Sequence, residues 1–152
     1  MVLLTTGKRP NRDDTFLILV LICLLVFICN AAKGSVVDDI RAEALRQGVD
    51  PKIALSVAKV ESGLNPTAIG RKGEIGLYQI MPFNGAKYAP NISVFDIKTN
   101  IRIGIYLISR AKYQCSDMGQ YYIICYNQGP HRRPKYPHLH PYYKRIVANY
   151  DR

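Results

Sequence analysis

Residues 60–82 read VESGLNPTAIGRKGEIGLYQIMP, and their reading decides the fold. Glu61 stands at the end of an apolar-periodic run that starts after Asp50-Pro51, a pair suited to open a helix as N-cap and first-turn proline. Ile53, Val57, Val60 and Leu64 recur on one face of that run, with Glu61 one step off the stripe. A carboxylate at such a margin is half covered by its own helix and open on its far side. Partial burial disfavours the charged form and raises the pKa, as a general acid working near neutral pH requires. After Glu61 the chain breaks into a connector punctuated by Gly70, Gly73 and Gly76, which predicts a short hairpin or irregular loop over 67–80.

Outward from this stretch the pattern is helical. Ser35 and Asp38 have the spacing of a capping box, Val37, Ile40 and Ala44 follow on one face, and Gly48 ends the run. Residues 92–112 form a long helical pattern through Ile97, Ile101, Ile105 and Ile108, and residues 118–126 are apolar enough for a central helix. Residues 130–141, rich in Pro, His and basic side chains, read as a loop, and residues 142–150 as a closing helix. The expected class is α+β, mostly helical with a small β-hairpin, behind an N-terminal hydrophobic helix.

That N-terminal part divides into a polar basic segment, 1–15, and an apolar segment, 16–32, ahead of a domain over 33–152. FLILVLICLLVFIC, residues 16–29, has no polar interruption. Its fourteen residues would rise about 21 Å as a helix, the size of a signal-peptide core, while 15–32 suffices for a short membrane anchor. Both readings stand. Lys8, Arg9 and Arg12 before the segment predict that an uncleaved anchor leaves the domain on the outer side of the membrane.

The formal charge is +10, and +9 remains once residues 1–32 are set aside. An anionic partner is therefore expected. Nucleic acid is not, since the basic residues are scattered and no recognition-helix or zinc-finger spacing occurs. No cofactor is expected. His138 and His140 lack a third ligand, so no metal is expected either. Cys23 and Cys29 lie in the apolar segment. Cys115 and Cys125 lie in the domain, where an oxidising environment would permit a disulfide that the sequence alone leaves open.

The ES-G opening at Glu61, the NP-A turn, GLYQIMP at 76–82 and CYNQG at 125–129 together resemble the lytic transglycosylases of the soluble (SLT, family 1) type. The resemblance spans roughly 36–150 and implies a lysozyme-like domain that cuts the MurNAc–GlcNAc β-1,4 bond of peptidoglycan and leaves a 1,6-anhydro-MurNAc end. On that resemblance Glu61 is the acid, and Ser62, Gln79, Met81, Tyr126 and Asn127 contact or orient substrate. Four positions depart from the family pattern, Glu74 among them, where the common pattern has a small residue. Gly70 stands where many relatives have serine, Tyr78 replaces a methionine, and Cys125 replaces an alanine. Glu74, two residues before the Gly-Leu block, is a second candidate carboxylate across the cleft. Three readings follow: a lytic transglycosylase, a hydrolytic muramidase, and a non-catalytic wall-binding assembly protein. Local wall penetration for secretion or conjugation machinery, or for phage entry or lysis, suits so small a domain. Expected locations are a membrane-anchored domain in the periplasm or outside, a periplasmic protein after signal cleavage, or a virion-associated one.

Overall fold

The computed structural model describes residues 18–22 and 34–150. Chain contacts divide it into two units, 1–34 and 35–152. In the first, residues 18–22 are helical with exposed side chains. The basic segment 1–15 and the rest of the apolar segment 16–32 lie outside the described residues. Among the described residues no helix is long and apolar enough to cross a membrane.

In the second unit the capping signals act as read. Ser35 accepts from the Asp38 amide and Asp38 returns the bond, which starts α1, Val36–Arg46, with Ile40 and Ala44 buried. Asp50 accepts from the Lys52 amide and starts α2, Pro51–Ser62, which ends on Gly63 at φ 64. That left-handed value favours glycine and lets the chain turn off the helix. Asp96 caps α4, Ile97–Gln114, by accepting from the Thr99 amide. The sequence pattern would begin this helix at Ile92. Residues 92–96 instead fold into turns, with Asp96 N–H bonded to Ser93 C=O and Phe95 N–H to Ser93 Oγ. A short helix that the sequence reading does not anticipate, α3 (Pro82–Tyr88), starts at the proline of the QIMP block.

The expected single helix over 118–126 is two pieces. A 3-10 segment, Ser116–Ile123, is broken at Gly119 (φ 53, ψ −129), and α5, Ile124–Gln128, follows it. After a 3-10 turn at Pro137–Leu139 the last helix, α6, runs Pro141–Tyr150. Helix α2 packs between α1 and α6, while α4 lies against α1, α5 and the 3-10 segment. The core joins Ile40, Val57, Leu77, Tyr78, Ile101, Ile105, Ile108 and Ile146, each at most 2% exposed. Burying each such side chain contributes about 1.5–3 kcal/mol before entropic costs.

The predicted β-hairpin does not form. Among the described residues there are no strands, only two isolated antiparallel bridges, Ile69 to Ile75 and Ile75 to Ile80. Gly73 and Gly76 sit at φ 82 and 74, and each turn they allow ends the pairing after a single residue. The domain is mostly helical, with a bridged loop in place of a sheet.

Cys115 and Cys125 are joined as a disulfide. The link spans ten residues and constrains the unfolded chain by roughly 2.5 kcal/mol. It ties the end of α4 to the start of α5.

Candidate active site

Helix α2 delivers Glu61 on its last turn, where the helix leaves carbonyls unsatisfied. Helix α6 completes that end. Arg145 donates to the Val60 carbonyl at 2.6 Å, and the Tyr142 hydroxyl donates to Glu61 Oε1 at 2.6 Å. Tyr142 and Ile146, four residues apart, form the buried face of α6. The packing that seats α6 therefore also aims the tyrosine.

The facing wall is the loop 67–81, held by four fastenings. Ser62 Oγ donates to Leu77 C=O at 2.9 Å, and Tyr126 Oη donates to Tyr78 C=O at 2.7 Å. Asn100, buried in α4, donates to Ile75 C=O and Val94 C=O and accepts from the Tyr78 amide, at 2.9–3.0 Å. Gln79 stands at φ 47 and donates to Gly76 C=O at 3.0 Å. Such a left-handed value costs a non-glycine residue on the order of 1–3 kcal/mol and persists only where the surroundings enforce it.

Tyr78 explains one departure from the family pattern. It is fully buried, its hydroxyl donates to Ala54 C=O at 3.1 Å, and its ring lies so close to Gly104 that a Cβ there would collide with it. The larger side chain fits because α4 is bare at that point.

Between the walls lies a cleft of about 440 Å³, lined by Glu61, Gly70, Glu74, Gln79, Met81, Tyr126 and Asn127 among others. Six sequence-predicted site residues thus meet in one place. Ser62 is not on the lining, because its hydroxyl is spent inside the protein on Leu77 and on Ala58 C=O. It fastens the loop. Glu74 Oε2 accepts from the Lys72 amide at 2.9 Å, and a Cβ on Gly70 would collide with Glu74 Oε2 and Gln79 Oε1. Gly70, having no Cβ, leaves the space that these two side chains fill.

The two carboxylates are shifted in opposite directions. Burial pushes Glu61 up; the Tyr142 hydrogen bond and the Arg145 charge pull it partly back, and the Glu74 charge adds to the rise. Glu74 is held below its ordinary value by backbone N–H groups, its own and that of Lys72. The arrangement pushes the two pKa values apart, with Glu61 the harder of the pair to ionise. Burial first, and the Glu61 charge second, raise Tyr126 and Tyr142, so both remain protonated donors.

Sequence reasoning missed Tyr142, Arg145 and Asn100 as parts of this site. For Tyr142 a signal existed, since an amphipathic side chain four residues before Ile146 must point inward. Among the described residues no group of three or more His, Cys, Asp or Glu side chains is placed to hold a metal ion.

The model of the transglycosylase SLT domain family matches residues 38–141, and the chain belongs to that family. Among characterised proteins it is similar to the membrane-bound lytic murein transglycosylase E of Buchnera aphidicola subsp. Acyrthosiphon pisum, with 40% identity over 82 residues. That match covers 47% of this chain and 37% of the relative, so the chain spans well under half of the protein it resembles.

Proposed function

We propose that the domain is a peptidoglycan lytic transglycosylase of the lysozyme-like kind, cutting the MurNAc–GlcNAc β-1,4 bond. The observation that carries this reading is Glu61, a half-buried carboxylic acid with raised pKa, held by a tyrosine hydroxyl on the lining of a cleft. Glu61 donates its proton to the bridging oxygen as the C1–O bond breaks, and positive charge develops at C1. The muramic C6 hydroxyl then bonds to C1 and gives its proton to the Glu61 carboxylate. This closes the 1,6-anhydro ring and restores the acid. One carboxylate serves both steps because the attacking hydroxyl is tethered within the same sugar, an advantage that free water lacks.

Glu74, ionised in the same cleft, stabilises the charge at C1. Tyr142 keeps the Glu61 carboxyl in one orientation. Gln79 has its amide committed to Gly76 and leaves its carbonyl oxygen as acceptor for a sugar hydroxyl, while Met81, Tyr126 and Asn127 form the wall against which the glycan lies. A hydrolytic muramidase is the second reading, favoured by one observation: two carboxylates of opposite pKa shift share the cleft. Muropeptide analysis of digested wall separates the two. Anhydro ends support the lyase; reducing ends would replace it with the hydrolase.

The relative's name describes it as membrane-bound, and residues 16–32 are apolar enough to suggest the same for this chain. We place the domain outside the membrane on that tether, for local penetration of the wall by secretion or conjugation machinery or by phage. Retention in membranes after a high-salt wash supports the tether. A soluble periplasmic protein beginning near Ala32 would show a cleaved signal instead.

A further inference from the structure

We propose that Arg71 and Lys72 form a carboxylate subsite on the rim of the Glu61 cleft, reading the acidic substituent of the glycan's muramic residue. The substrate named here rests on the lyase reading above, while the subsite itself rests on the charges of the cleft. Two carboxyl groups and two cations line it: Glu61, Glu74, Arg71 and Lys72. Glu61 accepts from the Tyr142 hydroxyl and is harder to ionise than an ordinary carboxyl, and Glu74 is turned onto its own backbone turn. Both cations are exposed, and neither joins any of the ion pairs seen among the described residues, which are Arg41–Asp38, Arg46–Glu43 and Arg133–Asp117.

Their backbone is fixed. Gly73 N–H bonds to Gly70 C=O at 3.1 Å, Gly70 N–H to Glu74 C=O at 2.8 Å and Lys72 N–H to Glu74 Oε2 at 2.9 Å. A pre-formed turn thus presents both cations at its tip. The rest of the lining, including Met81, Asn84, Leu107, Tyr126 and Asn127, carries no charged side chain.

A neutral β-1,4 glycan gives such a pair nothing to bind. In the repeating disaccharide the group that ionises is the substituent at C3 of the muramic sugar. It is a free lactyl carboxylate, or a stem peptide with carboxylates of its own. Guanidinium offers a carboxylate two parallel hydrogen bonds, and the ammonium adds a point charge. Glu74, two residues beyond Lys72 and on the same lining, repels the same carboxylate from its side of the cleft. The substituent is thereby kept at the rim while the glycosidic oxygen reaches Glu61.

The test measures binding to the Glu61→Gln protein, which holds ligand without turnover, with and without Arg71→Ala/Lys72→Ala. Three ligands are compared: peptide-bearing glycan, glycan stripped to free lactyl carboxylates, and neutral chitooligosaccharide. The expected result is an increase in Kd of about three- to tenfold for carboxylate-bearing ligands, as suits two exposed charge contacts, with chitooligosaccharide unchanged. Weakening confined to the peptide-bearing ligand would identify the stem peptide as the source, and weakening of both would identify the lactyl group. An unchanged Kd for both, or an equal loss for the neutral oligomer, overturns the proposal. Wall digestion by the wild-type protein is assayed separately, so failure of the lyase reading is seen apart from failure of the subsite.

Discussion

Glu61 and Glu74 line one cleft, but one belongs to a helix and the other to a turn, and that difference sets their chemistry. Glu61 lies in the last turn of a helix packed on both flanks, and its carboxylate accepts from Tyr142, a side chain 81 residues away. Glu74 stands on a glycine turn and is held by backbone N–H groups within two residues of itself. Burial protects the proton on the first; local amides stabilise the negative charge on the second. The same functional group thus acquires two characters, acid and anion, from the elements that carry it.

The largest effect should come from removing the acid. Glu61→Gln keeps shape and the Tyr142 contact, and wall digestion should fall by roughly 10²–10⁴-fold. Its stability should change in the other direction. Because the folded protein holds Glu61 above its ordinary pKa, the stability it confers is complete below the unfolded value and is lost as pH rises through the folded one. The Gln variant should therefore melt no lower than wild type at alkaline pH. Near-normal digestion by a folded Glu61→Gln protein would remove the distinction between the two carboxylates.

Next comes the fastening that keeps the loop wall opposite α2. Asn100→Ala strands the Val94 carbonyl and the Tyr78 amide in the interior, while Ile75 C=O keeps only its bond from Ile80 N–H, and should cost about 3 kcal/mol in chemical denaturation. A loss under about 1 kcal/mol would mean the loop is held elsewhere.

Two smaller changes should move the pH profile in opposite directions, which makes them the sharpest comparison. Tyr142→Phe removes a hydrogen bond that pulls Glu61 down, so the alkaline limb of activity should shift to higher pH and the rate fall about tenfold. Glu74→Gln removes a charge that pushes Glu61 up. The alkaline limb should then shift to lower pH and narrow the active range, with a rate loss of about tenfold or less. Shifts of the same sign in both variants, or none in either, would show that the two carboxylates do not sense one another.

Much of this was legible in the chain. The caps at Ser35 and Asp50, the stripe ending in Glu61 and the clustering of Gln79, Met81, Tyr126 and Asn127 all rest on local rules or on a family pattern. What escaped depended on distance. Tyr142 reaches Glu61 across 81 residues, and Asn100 reaches Ile75 across 25, pairings that no local spacing encodes. The hairpin failed because its glycines make turns faster than strands can pair. Ser62, beside the acid in sequence, belongs in space to Leu77. Cys115 and Cys125 could be joined only once their elements had been placed side by side.

The bond from Tyr142 to Glu61 also bears on the order in which the domain is assembled. Synthesis delivers α2 first, then the loop, then α4 with the Asn100 that fastens it, and α6 after these. Until α6 docks, Glu61 lacks its hydroxyl partner and the carbonyl of Val60 lacks Arg145. A chain interrupted before α6 would retain every motif through CYNQG, yet its acid would be solvated, untethered and closer to an ordinary glutamate. Docking of α6 thus completes the surroundings of Glu61.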